Sequence, residues 1–299
     1  MSRQNTPRVS FIGFGEAGQA IASGLREAGV ERIAAWDILF PESASAKLRE
    51  SGEKMGVRIA SSAADAVRDT DLVVAAVTAA ASTEAAQSVA PHLSGTPYYL
   101  DINSVSPGRK QQNAKLLGSA ARYVDVAVIA AIHPARHRTP MLLAGPHAEP
   151  IVPLLQELQM KVSVVKGEIG AAAAIKMIRS VLIKGIEALS YECFLAAFRA
   201  GVLDEVTASL KNNYPGVDWP KMSEYNLERM ASHGERRAAE MEESAATLRE
   251  LGLDPLMVEA TVKDQRAMGA IGKQDKVRAS LSEGRAAMLG AIGTARDSA

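Results

Sequence analysis

The sequence predicts an α/β domain followed by an all-α domain, and three observations carry that prediction. From residue 8 to about 165, short β-branched or apolar runs alternate with longer alanine-rich stretches, the pattern of a parallel sheet built from βαβ units. The first run leads into the glycine-rich stretch Gly13-Phe14-Gly15-Glu16-Ala17-Gly18. After Gly167 the alternation stops, and Glu168 to Ala200 contains no proline and only Gly170 and Gly185, a pattern longer than an ordinary helix. We therefore divide the chain into residues 1–166 and 167–299, with one long interdomain helix over 168–200.

The strands are expected at Arg8 to Gly13, Arg32 to Asp37, Val57 to Ala60, Leu72 to Val77, Tyr98 to Ile102, Tyr123 to Val128, Met141 to Ala144 and Val162 to Val165. Ala17 to Ala28 and Ser43 to Met55 read as crossover helices. Beyond the long helix, the turn-forming stretches Asn212 to Gly216, Ser232 to Gly234 and Gly252 to Pro255 read as breaks between further helices.

Composition narrows the function classes. The 299 residues carry 34 basic and 34 acidic side chains, so the chain lacks the charge excess that binding a phosphate backbone exploits, and nucleic acid is not an expected partner. The 47% apolar content rests on 52 alanines and only 4% aromatics, which favours closely packed helices. Cys193 is the single cysteine and cannot form an internal disulfide. No Cys/His group has metal-ligand spacing, and no apolar run is long enough to span a bilayer. A cytoplasmic protein without a metal or a membrane partner is expected.

The glycine stretch fits G-x-G-x-x-G between a strand and a helix, the fingerprint of a doubly wound Rossmann sheet. Gly13 permits the tight turn, Gly15 lets the backbone approach a pyrophosphate, and Gly18 lets helix pack on strand, so that Phe14, Glu16 and Ala17 bring the helix N-terminus to the phosphates. Asp37 ends the second strand, where a carboxylate accepts hydrogen bonds from both ribose hydroxyls. It would repel a 2'-phosphate, and no arginine follows in Ile38-Leu39-Phe40, so NAD is favoured and NADP stays possible. Val77 and Thr78, where the fourth strand ends, join the expected cofactor-binding residues.

On the long helix, Lys176, Ser180 and Lys184 fall at i, i+4 and i+8 on one face, beginning among alanine, isoleucine and methionine. Desolvation and a second lysine nearby both disfavour a charged amine, which suits general acid/base work. A solvated or snorkelling lysine is the competing reading.

The order of these motifs resembles the β-hydroxyacid dehydrogenase family, which includes 6-phosphogluconate and 3-hydroxyisobutyrate dehydrogenases. The resemblance runs from the glycine fingerprint through Trp36-Asp37, Asp71-Leu72-Val73-Val74 and Asp101-Ile102-Asn103-Ser104-Val105-Ser106-Pro107 to Lys176. It implies that Asn103 and Ser104 lie near nicotinamide and substrate, and that Lys176 takes the hydroxyl proton as hydride leaves the carbinol carbon. Two segments depart from the family. Asp125 to Ala131 stands where members have a Ser-Gly-Gly substrate loop, so Ala130 and Ala131 replace its glycines. Ala172 replaces a glycine of the lysine motif, and Ser180 occupies the place of an asparagine, as a shorter hydrogen-bond donor.

The whole chain is similar to a 6-phosphogluconate dehydrogenase-like subgroup with a compact helical C-terminal domain, through Lys176-Met177-Ile178-Arg179-Ser180 followed by Lys184-Gly185, and through Arg236 to Glu243 followed by Leu251 to Pro255. His233, Arg236 and Arg237 are read as opening a helix near the place where family members have a Lys-Asp pair facing cofactor and substrate. Two arginines at a helix start oppose the macrodipole, so either an anionic ligand compensates or Glu240 and Glu243 pair with them. His233 is either a boundary residue or a site residue. His133 and His137, beside Arg136 and Arg138, either bind an acid group or form surface charge.

The expectation is an NAD-preferring oxidoreductase acting on a β-hydroxy acid that resembles a sugar acid, working as a homodimer. Lys176, Ser180 and Asn103 would be catalytic, and Ser104, Ala130, Ala131, Lys184, His233, Arg236 and Arg237 would bind substrate. The alternatives are an imine reductase of the same superfamily, against which the lysine argues, and a dinucleotide-binding regulatory protein without turnover.

Overall fold

The computed structural model describes residues 6–298. Two compact units divide the chain, the first ending at Lys176 and the second beginning at Met177.

In the first unit all eight expected strands are present, with ends displaced by at most two residues: β1 (Val9–Ile12), β2 (Ile33–Trp36), β3 (Arg58–Ile59), β4 (Leu72–Ala75), β5 (Tyr98–Asp101), β6 (Arg122–Val128), β7 (Met141–Ala144) and β8 (Val162–Val164). They form one sheet in the order β3-β2-β1-β4-β5-β6-β7-β8. Helices α1 (Glu16–Glu27), α2 (Ala46–Lys54), α3 (Ala63–Ala66), α4 (Ser82–Val89), α5 (Pro107–Leu117) and α6 (Ala148–Glu157) connect the strands. Adjacent residues within a strand face opposite sides, so Phe11 and Val74 join a core with Leu25 of α1 and Ile151 of α6, while Ile12 and Val73 join another with Ala86 of α4 and Leu117 of α5.

The expected parallel sheet needs one correction, because β7 runs antiparallel to β6. A parallel return requires a crossover long enough to traverse the sheet, usually a helix. The segment between β6 and β7 holds only the single 3-10 turn Arg136–Arg138, so the chain doubles back beside the strand it has left. Parallel pairing then resumes between β7 and β8.

Helix α7 (Ala171–Arg199) begins in the first unit and continues into the second. There it is followed by α8 (Leu203–Asn213), α9 (Trp219–Glu250), α10 (Leu256–Ile271), α11 (Asp275–Ser280) and α12 (Arg285–Asp297). The break expected at Ser232 to Gly234 does not exist, since α9 runs unbroken through it. The reason is packing. Helices α9 and α10 lie antiparallel, and a Cβ on Gly234 would stand 2.1 Å from the Gln265 carbonyl oxygen and 2.6 Å from the Gly269 nitrogen. This glycine lets two backbones touch. His233, Arg236 and Arg237 therefore sit in mid-helix, and the macrodipole argument made for the two arginines does not apply. No helix among the described residues is long and apolar enough to cross a membrane.

Candidate functional site

The carboxyl edge of β1, β4, β5 and β6 assembles most of the residues expected to do chemistry. At the end of β1, Gly13 has φ +90°, and a Cβ there would lie 2.4 Å from the Ala76 carbonyl oxygen. Gly18 approaches the Gly13 carbonyl as closely, with a Cβ expected at 2.6 Å. Gly15 differs from both. It is the N-cap of α1, no side chain caps the helix there, and a Cβ on it would meet nothing within 4 Å. The first backbone N–H groups of α1, from Glu16 and Ala17 onward, thus open onto a glycine-lined space suited to an anion. The Phe14 ring is fully buried against Phe11 and Phe40, so only its backbone belongs to this loop.

Asp37 follows β2 and closes the loop from the side. Its Oδ2 accepts the Phe14 N–H at 2.7 Å and its Oδ1 accepts the Leu39 N–H at 3.0 Å. Ile38, next to it, is exposed. Beyond β4 the Val77 N–H donates to Asn103 Oδ1 at 2.7 Å, joining the ends of β4 and β5, while Thr78 is exposed beside it. Ala130 and Ala131 are exposed just past β6.

Lys176 is half-buried, and its Nζ donates to Ser104 Oγ at 2.6 Å. The structure therefore brings Lys176 of α7 to the neighbouring residues Asn103 and Ser104 after β5, the latter 72 residues earlier in the sequence. What holds them is a buried charge cluster that sequence reasoning missed. Lys110 of α5 is fully buried; its Nζ donates to the Asp101 carbonyl, to Asp101 Oδ1 at 3.0 Å and to the Val126 carbonyl at 3.3 Å, and lies 3.7 Å from Asp125 Oδ1. Tyr123 and Asn113 donate to the other Asp101 oxygen at 2.7 and 3.1 Å. Asp125 Oδ2 accepts the backbone N–H groups of Gly170, Ala172 and Ala173 at 3.0, 3.0 and 3.2 Å, capping the start of α7. Burial pushes the Asp125 carboxyl up, against the pull of Lys110. A signal was present, since Asp101 and Asp125 each interrupt an apolar strand and a buried acid needs a partner.

The remaining expected site residues belong to the second unit. Ser180 and Lys184 are buried on α7; Lys184 Nζ donates to Ser180 Oγ at 3.5 Å and pairs with Glu240 of α9 at 2.7 Å. Burial lowers the Lys184 pKa and Glu240 opposes the shift. Arg236 is exposed and pairs with the same Glu240 at 2.9 Å. Arg237 is buried and grips both oxygens of Glu187, whose Oε2 also accepts from Gln265 at 2.9 Å. His233 is half-buried, and burial followed by Arg229 and Arg236 lowers its pKa. With Arg236, Lys273 and Arg278 it lines a cavity of about 530 Å³. In the first unit, His137 is buried against Gly24 of α1, Arg136 pairs with Glu27, and Arg138 donates to Gln159. His137 is thus neither an exposed acid-binding group nor surface charge.

Comparison with known proteins agrees with this architecture. Residues 8–104 match the family described as NADP oxidoreductase coenzyme F420-dependent, and residues 197–268 match a domain of unknown function, DUF1932. The chain is 35% identical to a conserved hypothetical protein from Sinorhizobium meliloti 1021, with 98% of each chain covered and a TM-score of 0.77. It is 30% identical to the conserved protein MTH1747, whose structure is described as similar to 3-hydroxyacid dehydrogenases, with 88% of this chain and 97% of that one covered and a TM-score of 0.70. Mycobacterium tuberculosis 3-hydroxyisobutyrate dehydrogenase shares the fold over 98% of this chain and 100% of its own, at 17% identity and a TM-score of 0.71. The fold and its glycine-lined edge define an NAD(P)-binding oxidoreductase class. The chain belongs to the same family as the Sinorhizobium meliloti protein and MTH1747, and its fold is that of the 3-hydroxyacid dehydrogenases to which MTH1747 is described as similar.

Proposed function

We propose that the protein transfers hydride between a nicotinamide dinucleotide, NAD in preference to NADP, and the carbinol carbon of a β-hydroxy acid, with Lys176 as general acid/base. One observation carries this reading: an amine at the start of α7 hydrogen-bonds Ser104 beside Asn103, just past the carboxyl end of β5. In open α/β sheets that edge is where ligands bind.

The residues present fit the cofactor. The uncapped start of α1 beside Gly15 would hold the pyrophosphate, and the Asp37 carboxylate would accept from the ribose hydroxyls. When bound, the nicotinamide supplies the hydride acceptor. The chain's own task is then the proton. A neutral Lys176 Nζ takes it from the substrate hydroxyl and returns it in the reverse direction, while the Ser104 hydroxyl holds the amine in line. Asn103 and Ser180 stay as proposed catalytic residues, and Ser104, Ala130, Ala131, Lys184, His233, Arg236 and Arg237 as proposed substrate-binding residues. Among them Arg236 carries the exposed positive charge suited to a carboxylate.

The test is steady-state formation of NADH and NADPH over a panel of β-hydroxy acids and cyclic imines, with wild type and Lys176→Ala, beside calorimetric titration with each dinucleotide. The expected result is hydroxy-acid turnover with NAD that falls by about 10²–10⁴-fold in Lys176→Ala while NAD affinity is kept. A wild type that binds NAD but oxidises no hydroxy acid, or that turns over imines faster, overturns it.

A further inference from the structure

Resting on the reading of Lys176 just given, we propose that Asp101, Lys110 and Asp125 are positioning residues that fix both partners of the Lys176–Ser104 contact. The two partners are anchored separately. On the helix side, three N–H groups at the start of α7 converge on the single oxygen Asp125 Oδ2. Gly170, which turns the chain into that helix at φ +106°, backs onto Pro107 at the start of α5. On the loop side, Asp101 Oδ1 accepts the backbone N–H of Asn103, the residue before Ser104, at 3.0 Å. Lys110 joins the two carboxylates, at 3.0 Å from Asp101 and 3.7 Å from Asp125.

Hydrogen bonds and one ion pair, Lys110 with Asp125, thus close a ring. It runs from Lys176 back along the first turns of α7 to Asp125, across Lys110 to Asp101, forward through Asn103 to Ser104, and to Lys176 again. Stability alone does not account for such a cluster. Three fully buried charges cost desolvation, and well-packed apolar residues in their place are often neutral or better. What apolar residues lack is direction: they cannot cap a helix start, and they cannot hold the Asn103 N–H where the strand ends. The ring therefore defines where the amine stands relative to the serine hydroxyl, the kind of placement on which a proton transfer depends steeply.

The test measures Lys176 itself. Trace acetylation with acetic anhydride, followed by peptide mass spectrometry, gives the reactivity of Lys176 against pH with exposed Lys54 as internal reference. Two variants interrupt the ring at different links: Asp125→Asn, which keeps an acceptor for the helix start but removes its charge, and Lys110→Met with Asp101→Asn, which removes one charge of each sign at nearly constant volume. Urea unfolding establishes that each variant is folded. The expected result in either folded variant is a several-fold rise in Lys176 acetylation and a pH profile displaced toward that of Lys54. In the hydroxy-acid assay kcat falls by about 10²-fold, with the KM for NAD unchanged. Acetylation and pH profile equal to wild type in a folded variant overturn the proposal. Should the wild type oxidise no hydroxy acid, the reading of the reaction fails while the acetylation result still decides the positioning role.

Discussion

Gly13 and Gly15 of one fingerprint have different reasons to be glycine, and substitution separates them. Gly13 is fixed by its left-handed φ and by the Ala76 carbonyl, so Gly13→Ala should destabilise the fold by about 1–3 kcal/mol or more, read by urea unfolding. Gly15 has ordinary backbone angles and open space beside it, so Gly15→Ala should leave stability within about 0.5 kcal/mol of wild type. Its added methyl group intrudes only on a ligand, and NAD affinity should drop about tenfold or more by calorimetry. If Gly15→Ala binds NAD as wild type does, the pyrophosphate does not sit there. The fingerprint was legible because its spacing is local. The charge cluster was not, because Asp125 and the Gly170 N–H it accepts are 45 residues apart and nothing in either neighbourhood names the other.

Elements were read from the sequence where their period is strong. All eight strands follow from short β-branched or apolar runs, and the long helix from a stretch without breakers. The orientation of β7 was not legible, because it depends on what the intervening segment fails to form. Gly234 shows the opposite error: a glycine between histidine and glutamate reads as punctuation, yet it is the contact point of two helices. The two readings predict opposite signs. A glycine that merely weakens a helix gains about 1 kcal/mol on replacement by alanine. Gly234→Ala should instead lose about 1–3 kcal/mol through overpacking against Gln265 and Gly269, measured as a lower urea midpoint. A stabilised Gly234→Ala would mean that α9 and α10 do not approach as closely as described.

At the scale of the molecule, α7 presents Ile178, Leu182, Ile183 and Leu189 to solvent, with Leu182 65% exposed. Large apolar side chains clustered on one helix mark an association surface, and we expect a second copy of the chain to cover it. Sedimentation equilibrium should give a dimer at micromolar concentration and a monomer for Leu182→Glu combined with Leu189→Glu; a monomeric wild type would remove the dimer. Helix α7 has one more consequence, and it concerns how the chain can be divided. The border between the two compact units falls between Lys176 and Met177, inside a continuous helix. A chain cut there would end on the residue proposed to move the proton, at a terminus where helices fray. The N-terminal unit alone would keep its glycine loop and Asp37 and yet lose a fixed amine. The proposed amine thus shares a compact unit with the dinucleotide fold, while the helix that carries it is completed by the other half of the chain.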